Sequence, residues 1–378
     1  MQPETPYYLI DEQRMKEAMQ TIEYVQEKSG AKCVLALKCF SSFCAFPFMR
    51  KYMPGVTTSS LFEARLGYEK FGGEVHGYSV AFDDEEVAQI VPYCDKLIFN
   101  SLGQLHRHRQ AAASCSVGLR LNPEVGYSEH PLSDPTLRFS RLGVRAAQLP
   151  ANIAEHIEGA MLHMNCDNAS LVSFSKQLHS IESTFATLLP QLKWLSLGGG
   201  IAFTSEGYPI DDFCALLLEF AKRWSLQLYL EPGEAAVINS TSLFVRVLDI
   251  VENGVPTLIV DAGVEPHLLD VLTYDYTPEL EGASPLDRSV EGLDAQPGHV
   301  YRVCGRTCLS GDVFGNYRFD APAQVGQVLH FPNVGGYSIV KRNHFNGLKM
   351  PAIHHKQENG EIRIVQRSSY EEFRDALS

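Results

Sequence analysis

The 378-residue chain lacks several features that point to a membrane, a disulfide framework or a metal site. No apolar stretch approaches the roughly 20 residues of a membrane helix, and no basic-then-apolar segment resembling a signal peptide opens the chain. The nine cysteines are odd in number and form no C-x-x-C pair, and the 13 histidines form no H-E-x-x-H spacing. We therefore expect a cytoplasmic protein without a metal.

Basic residues are scarce relative to acids, with 32 Lys and Arg against 45 Asp and Glu and a net charge of −13. This balance argues against nucleic acid or an anionic membrane as a partner, since both are bound through basic patches. An acidic field favours a cationic small molecule, although the charge is also explained by solubility alone.

Length and composition predict two domains of a soluble globular enzyme, with 45% apolar and 20% charged residues. From residue 31 to about residue 233, short apolar runs alternate with amphipathic stretches at 61–71, 104–113, 171–189 and 210–224. Eight strands are predicted, at 31–38, 56–58, 74–80, 96–100, 116–122, 159–165, 194–198 and 226–231. The alternation predicts a parallel (β/α)8 barrel, and an open doubly wound sheet is the alternative.

The pattern changes after about residue 236. Strand-like runs at 245–251, 257–260, 299–304, 327–331 and 362–365 are separated by Gly-, Pro- and Asp-rich turns, which predicts an all-β domain. The polar stretch 282–298 is predicted to be a mobile loop. We predict a barrel over residues 11–235 and a β-domain over 236–378, to which residues 6–10 add a strand.

Unusual residues follow four of the predicted barrel strands: Lys38, His163, Gly198–Gly200 and Glu231. In a (β/α)8 barrel the carboxyl ends of the strands share one mouth, where active sites lie. A lysine leaving a buried strand into a cavity has a lowered pKa and suits Schiff-base formation, whereas a strand-end lysine that reaches solvent is the simpler interpretation. The convergence of four such positions is more informative than any one of them.

The motifs at these positions each allow a functional and a structural interpretation. Three glycines after a strand let backbone amides approach a phosphate, or simply form a tight turn. Glu231, held in the run Y-L-E-P-G at 229–233, is placed to face a cation. If the cofactor is pyridoxal phosphate (PLP), this carboxylate keeps the ring nitrogen protonated, which favours decarboxylation over racemisation.

Three more residues are candidates for contact with a cofactor or substrate. His163 is able to stack on a flat ring, although a satisfied core histidine is the alternative. Cys308, in the turn-like run G-R-T-C-L-S-G-D, presents a thiol as a possible proton donor, whereas Cys304 belongs to a strand run. Tyr337 follows two glycines, and its hydroxyl is a candidate phosphate contact.

In this order, the motifs resemble the PLP decarboxylases of the alanine-racemase fold, also called fold type III. That family includes ornithine, arginine, diaminopimelate and carboxynorspermidine decarboxylases, and the resemblance covers roughly residues 6 to 350. It implies that the cofactor is held by the residues matching the family motifs, namely Lys38, His163, Gly199, Gly200, Glu231 and Tyr337. It also implies a homodimer in which Cys308 enters the partner's active site and protonates the substrate carbon.

Departures from the diaminopimelate enzymes indicate a different substrate. Glu234 follows E-P-G where those enzymes carry an arginine, and Asp270 replaces a second arginine ahead of Tyr274 and Asp275. Both arginines normally hold the far carboxylate of an anionic substrate, so the reversed charges favour an amine. The resemblance thus implies that Glu234, Asp270, Asp275 and Asp312 contact a cationic substrate.

The remaining motifs narrow the resemblance further. Cys166 occupies the position of a serine that usually contacts the phosphate, and H-x-x-C-acid, E-P-G-E and T-C-L-S-G-D together resemble the carboxynorspermidine decarboxylase branch. The implied reaction is decarboxylation of carboxynorspermidine or carboxyspermidine to norspermidine or spermidine. The alternatives are another basic amino-acid decarboxylase of the family, a PLP-binding protein without turnover, and a barrel hydrolase that uses carboxylates.

Overall fold

The computed structural model describes residues 3–378, which form two compact units. One unit contains residues Glu17–Ala236, and the other combines the residues up to Lys16 with Val237–Ser378. We call the first the barrel and the second the β-domain.

Eight parallel strands close into a barrel, because Lys96–Phe99 pairs with strands on both sides and completes the ring. The predicted (β/α)8 barrel is therefore confirmed, and the open doubly wound sheet is wrong. In chain order the barrel strands are Lys32–Ala36, Gly55–Thr58, Glu74–Tyr78, Lys96–Phe99, Ser116–Asn122, Gly159–Met161, Trp194–Ser196 and Gln227–Leu230. A short strand, Val144–Arg145, pairs with the fifth of these.

The helices of the barrel follow the amphipathic pattern of the sequence. Ile210–Trp224 has the predicted bounds, buries Phe213, Leu217 and Phe220, and ends at Ser225, whose φ of 54° is left-handed. Serine or aspartate side chains cap several others at the first turn, which satisfies amide groups that a helix leaves unpaired. The other helices are Glu12–Ser29, Phe46–Met49, Leu61–Leu66, Asp84–Ile90, Leu102–His108, Leu171–Thr184 and Glu234–Val237, with a π-helical turn at Gly67–Phe71.

Side chains fill the interior of the barrel. A buried cluster contains Val34, Tyr78, Ile98, Met161, Trp194 and Tyr229. Two glycines make room for the indole ring of Trp194: a Cβ at Gly159 would lie 2.1 Å from that ring, and one at Gly118 would lie 2.5 Å from it. The barrel is thus a packed core whose chemistry is confined to its ends.

The β-domain is a mixed sheet of nine strands. Its strands are Tyr7–Asp11, Thr241–Asn253, Val255–Val260, Ala283–Leu286, His299–Cys304, Val313–Phe319, Val328–Phe331, Ala352–Lys356 and Ile362–Gln366. Tyr7–Asp11 lies between Thr241–Asn253 and Ala352–Lys356, so the predicted N-terminal strand is present. Short helices occupy Val264–His267, Asp270–Tyr274 and Tyr370–Asp375.

The prediction of a loop over 282–298 is wrong at its start. Ala283–Leu286 is a strand that pairs with Val313–Phe319. The strands Val313–Phe319 and Ala352–Lys356 were not predicted from the sequence. The following turn is held by the guanidinium of Arg288, which donates to the carbonyls of Tyr276 and Phe314 at 2.8 and 2.9 Å. These contacts come from distant segments, which explains why local composition did not reveal them.

Within residues 3–378, none of the helices combines the length and the apolarity that crossing a membrane requires.

Candidate active site

The first, eighth, seventh and sixth barrel strands are direct neighbours, in that order around the ring. Their carboxyl ends carry Lys38, Glu231, Gly198–Gly200 and His163 respectively. Closure of the barrel therefore brings together four sequence positions that are far apart along the chain. Lys38, His163 and Glu231 line one pocket.

Lys38 lies in a turn just beyond the first strand. Its side chain lines the pocket and is exposed by surface area, yet desolvation by the surrounding protein lowers the pKa of its amine. The carboxylate of Glu231 acts in the opposite direction, whereas the cation of Arg120 lowers the pKa further. A larger fraction of the amine is therefore unprotonated near neutral pH, which suits a nucleophilic lysine.

His163 follows the sixth strand by two residues. Its Nδ1 accepts a hydrogen bond from the backbone N–H of Gly199 at 3.1 Å, so a neutral ring carries its proton on Nε2. That Nε2 lies 3.5 Å from Nζ of Lys38. Burial, together with the charges of Lys38 and Arg120, holds the pKa of His163 well below its ordinary range. The imidazole is thus neutral and flat, as stacking on an aromatic ring requires.

Each position from 198 to 200 requires glycine, because neighbouring atoms lie where a Cβ would be. Gly198 and Gly200 have φ values of 71° and 80°, where L side chains are strained. A Cβ would lie 2.6 Å from Nδ1 of His163 at Gly198, 2.3 Å from the Glu231 carbonyl at Gly199, and 2.0 Å from the Asn165 carbonyl at Gly200. The amide of Gly199 is used by His163, whereas that of Gly200 donates no hydrogen bond within residues 3–378, which makes Gly200 the better phosphate donor.

Glu231 directly follows the eighth strand and is only 8% exposed. Its Oε1 accepts a hydrogen bond from the hydroxyl of Ser196 at 2.5 Å. A buried carboxylate facing a pocket requires a cationic partner or donors, since an unpaired buried charge is costly. The protonated nitrogen of a pyridine ring meets this requirement.

Sequence reasoning missed Arg120 and Tyr78, which line the same pocket with Thr57, Thr58, Ser59 and Met161. Arg120 is 5% exposed, and its Nη1 donates to the Tyr78 hydroxyl at 2.8 Å. A single arginine between Leu119 and Leu121 in a buried strand was the available signal, since arginine is rarely buried without a partner.

Cys166 carries a thiol that stays protonated. Burial raises the pKa of its thiol to about 12, and the carboxylates of Asp167 and Glu234 act in the same direction. The thiol donates to Oδ2 of Asp167 at 3.3 Å. Glu234 begins the short helix after the eighth strand, and its charge acts on the thiol of Cys166 on the same domain.

Cys308, Asp312 and Tyr337 belong to the β-domain. Cys308 is exposed, and its backbone N–H donates to Oδ1 of Asn346 at 2.6 Å. Tyr337 has a left-handed φ of 55°, and the ammonium of Lys341 lies 4.8 Å from its ring centre.

Asp312 stabilises the loop at residues 305–312, which contains Cys308. The carboxylate is 3% exposed and accepts three hydrogen bonds: from the amide of Val264 at 2.6 Å, and from the amide and hydroxyl of Thr307 at 2.9 and 2.6 Å. Both carboxylate oxygens are thus occupied within the β-domain, and a role for Asp312 in substrate binding stays a prediction.

The other two predicted substrate acids of the β-domain also have partners there. Asp270 forms an ion pair with Lys341 at 2.5 Å, and Asp275 forms one with Arg288 at 2.9 Å. A substrate amine would have to compete with these cations. A role for Asp270 or Asp275 in binding stays a prediction.

The comparisons with known proteins agree with this geometry. The family model described as pyridoxal-dependent decarboxylase, C-terminal sheet domain, matches residues 8–335. The chain belongs to the pyridoxal-dependent decarboxylases. A carboxynorspermidine/carboxyspermidine decarboxylase of Herminiimonas arsenicoxydans is 44% identical over 99% of both chains. A carboxyaminopropylagmatine decarboxylase of Synechocystis is 37% identical over 99% of this chain and 95% of that one.

A solved structure gives the same result. Carboxynorspermidine decarboxylase from Campylobacter jejuni, complexed with norspermidine, matches with a TM-score of 0.88 and 32% identity, covering 98% of this chain and 99% of that one. The full-length match confirms the alanine-racemase-like combination of barrel and β-domain.

The pocket residues of this decarboxylase fit PLP. When bound, PLP supplies an electrophilic aldehyde and a ring that accepts electrons. Lys38 would hold the aldehyde carbon through its amine, and the neutral ring of His163 would cover one face of the pyridine. Glu231 would hold a proton at the ring nitrogen, and the amide of Gly200 would donate to the phosphate.

Replacing Lys38 with alanine should abolish covalent attachment of PLP to this decarboxylase, because the pocket then lacks the amine that reacts with the aldehyde. Borohydride reduction followed by peptide mapping should modify Lys38 in the native enzyme and no pocket residue in K38A. The exposed Lys70→Ala variant is the control and should be labelled at Lys38 as the native enzyme is. Labelling at another lysine in the native protein would contradict the assignment.

Proposed function

We propose that this decarboxylase acts on carboxynorspermidine or carboxyspermidine and releases norspermidine or spermidine. The observation that carries the proposal is full-length similarity: the 44% identical relative spans 99% of both chains and bears the name of this activity. The relative solved with norspermidine supports the same class of product.

The charges on the barrel support a substrate that carries amines. Glu234 and Asp167 both act on the thiol of Cys166, and Cys166 in turn lies close enough to affect the pKa of Lys38. Acids on the same domain as the reactive amine favour a polyamine over a substrate that carries a second, distant carboxylate. Diaminopimelate is therefore disfavoured.

The proposed decarboxylation requires a proton donor. The bond between Cα and the carboxylate breaks, CO2 leaves, and a proton must be added at Cα in its place. We assign that proton to the thiol of Cys308, which is exposed on its own domain. As the resemblance to the decarboxylase family implies, this thiol would come from a second copy of the chain.

A CO2-release assay with five substrates tests the proposed function: carboxynorspermidine, carboxyspermidine, carboxyaminopropylagmatine, diaminopimelate and ornithine. We expect one of the first two to give the highest kcat/KM. A preference for carboxyaminopropylagmatine, the substrate class in the name of the Synechocystis relative, would replace the proposal. So would a preference for diaminopimelate or ornithine.

Replacing Glu234 with arginine should raise KM for carboxynorspermidine by about tenfold or more, because like charges placed together at a binding surface cost several kcal/mol. The PLP content should not change, since the site holding the cofactor is intact. Glu27→Arg reverses an exposed charge on the outer helix Glu12–Ser29 and should leave KM as it was. An unchanged KM in E234R would remove the argument for an acidic binding surface.

We further propose a homodimer whose two active sites each combine Lys38 of one copy with Cys308 of the other. The K38A and C308A variants should each be inactive as homodimers. When their subunits exchange, activity should recover to about a quarter of the native value, because half of the dimers are mixed and each contains one intact site. If tagged mixed dimers form without recovery, the shared site is wrong.

A further inference from the structure

Ser196 ends the seventh barrel strand, and its side chain is fully buried. The hydroxyl donates to Oε1 of Glu231 at 2.5 Å and accepts a hydrogen bond from the backbone N–H of Gly198 at 3.2 Å. It therefore touches both the carboxylate of the pocket and the first residue of the glycine loop.

The direction of these two hydrogen bonds follows from the groups involved. A serine hydroxyl has one proton, and an ionised carboxylate only accepts. Since the amide of Gly198 uses a lone pair of Ser196, the hydroxyl proton is directed to Glu231. Oε1 is thereby occupied, while Oε2 accepts no hydrogen bond within residues 3–378.

Backbone contacts also join Glu231 to the glycine loop. The amide of Glu231 donates to the Gly198 carbonyl at 2.9 Å, and the Glu231 carbonyl lies 2.3 Å from the position of a Cβ at Gly199. The backbone of Glu231 is thus fixed against the glycine loop, whereas its carboxylate is fixed through the hydroxyl of Ser196.

The other charged or titratable neighbours of Glu231 act on it only through space. They are Lys38, His76 and Tyr78. The ring Nε2 of His76 contacts Glu74, and the Tyr78 hydroxyl donates to Asn100. Among the described residues, Ser196 is the only side chain that donates a hydrogen bond to Glu231.

We propose that Ser196 is a positioning residue that holds one oxygen of Glu231 so that the other faces the ring nitrogen of bound PLP, and that couples this carboxylate to the phosphate-binding glycines. The proposal rests on the assignment of Glu231 to the ring nitrogen and does not depend on which amine substrate is used.

Ser196→Ala tests this role in the PLP-loaded enzyme. Without a fixed carboxylate the ring nitrogen should lose its proton more readily. A ring without that proton withdraws less electron density from the nitrogen that joins Lys38 to PLP, so the midpoint of the pH titration of the visible absorbance should rise by about one pH unit. We expect kcat to fall by about tenfold or more with little change in KM, because hydrogen bonds to charged groups contribute at that level. A native titration midpoint and a native kcat in S196A would overturn the proposal.

Ser116→Ala is the matched control. Ser116 also donates to a carboxylate, Glu158 at 2.6 Å, but begins its strand and lies outside the pocket. The S116A variant should leave the absorbance titration unchanged. Ser196→Thr retains the hydroxyl and should restore the native midpoint, and it keeps the test valid if S196A folds poorly. A threonine variant that behaves like the alanine variant would indicate a purely steric role and overturn the proposal.

A double-mutant cycle separates Ser196 from the proposed substrate. In the Glu231→Gln background, S196A should shift the absorbance titration no further, whereas an additive shift would contradict the pairing. The absorbance requires only PLP, so a wrong substrate assignment would appear in the CO2-release assay and leave this result intact.

Discussion

Closure of the parallel barrel is the constraint on which the site depends. The first and eighth strands pair directly, with Tyr229 opposite Lys32 and Leu230 opposite Cys33. This pairing makes neighbours of Lys38 and Glu231, which stand near opposite ends of the barrel sequence. The seventh strand then places Ser196 opposite Tyr229, two residues before the carboxylate. The site is therefore a consequence of strand order, and loop packing adds only its outer wall.

The electrostatics of the pocket follow from this arrangement. Lys38 and Arg120 are two cationic groups enclosed near one carboxylate, Glu231, so both burial and Arg120 oppose protonation of the lysine amine. Burial, and after it the same two cations, lowers the pKa of His163 and keeps its imidazole neutral. A nucleophilic amine and an uncharged stacking ring thus arise chiefly from burial, with nearby positive charge acting in the same direction. Glu231 limits that effect at Lys38, and it is the one carboxylate among the described residues that line the pocket, so its orientation matters.

The sequence predicted the barrel better than the β-domain for a physical reason. All eight barrel strands and the helix at 210–224 were predicted. Each of them buries its own apolar run and is bounded by turn residues next to it in the sequence. Val313–Phe319 was missed, since Gly315 interrupts its pattern where the strand approaches Thr277. Arg120 and Ser196 were missed because nothing in their immediate sequence shows that a carboxylate or phenol from another strand will meet them.

The predicted substrate acids show the same limit, because the sequence reveals a charged residue but not the partner that it meets in the fold. Asp270, Asp275 and Asp312 stood out as anions, but their partners come from elsewhere in the chain: Lys341, Arg288 and the amides of Val264 and Thr307. An acid that is already neutralised or hydrogen-bonded contributes little field to a ligand, whereas one beside other carboxylates contributes more. Glu234 acts on the thiol of Cys166 alongside Asp167, and both acids belong to the barrel, so we infer that the barrel contributes to selectivity for amines. The contacts of the β-domain acids hold their own loops, and a role of these acids in substrate binding stays a prediction.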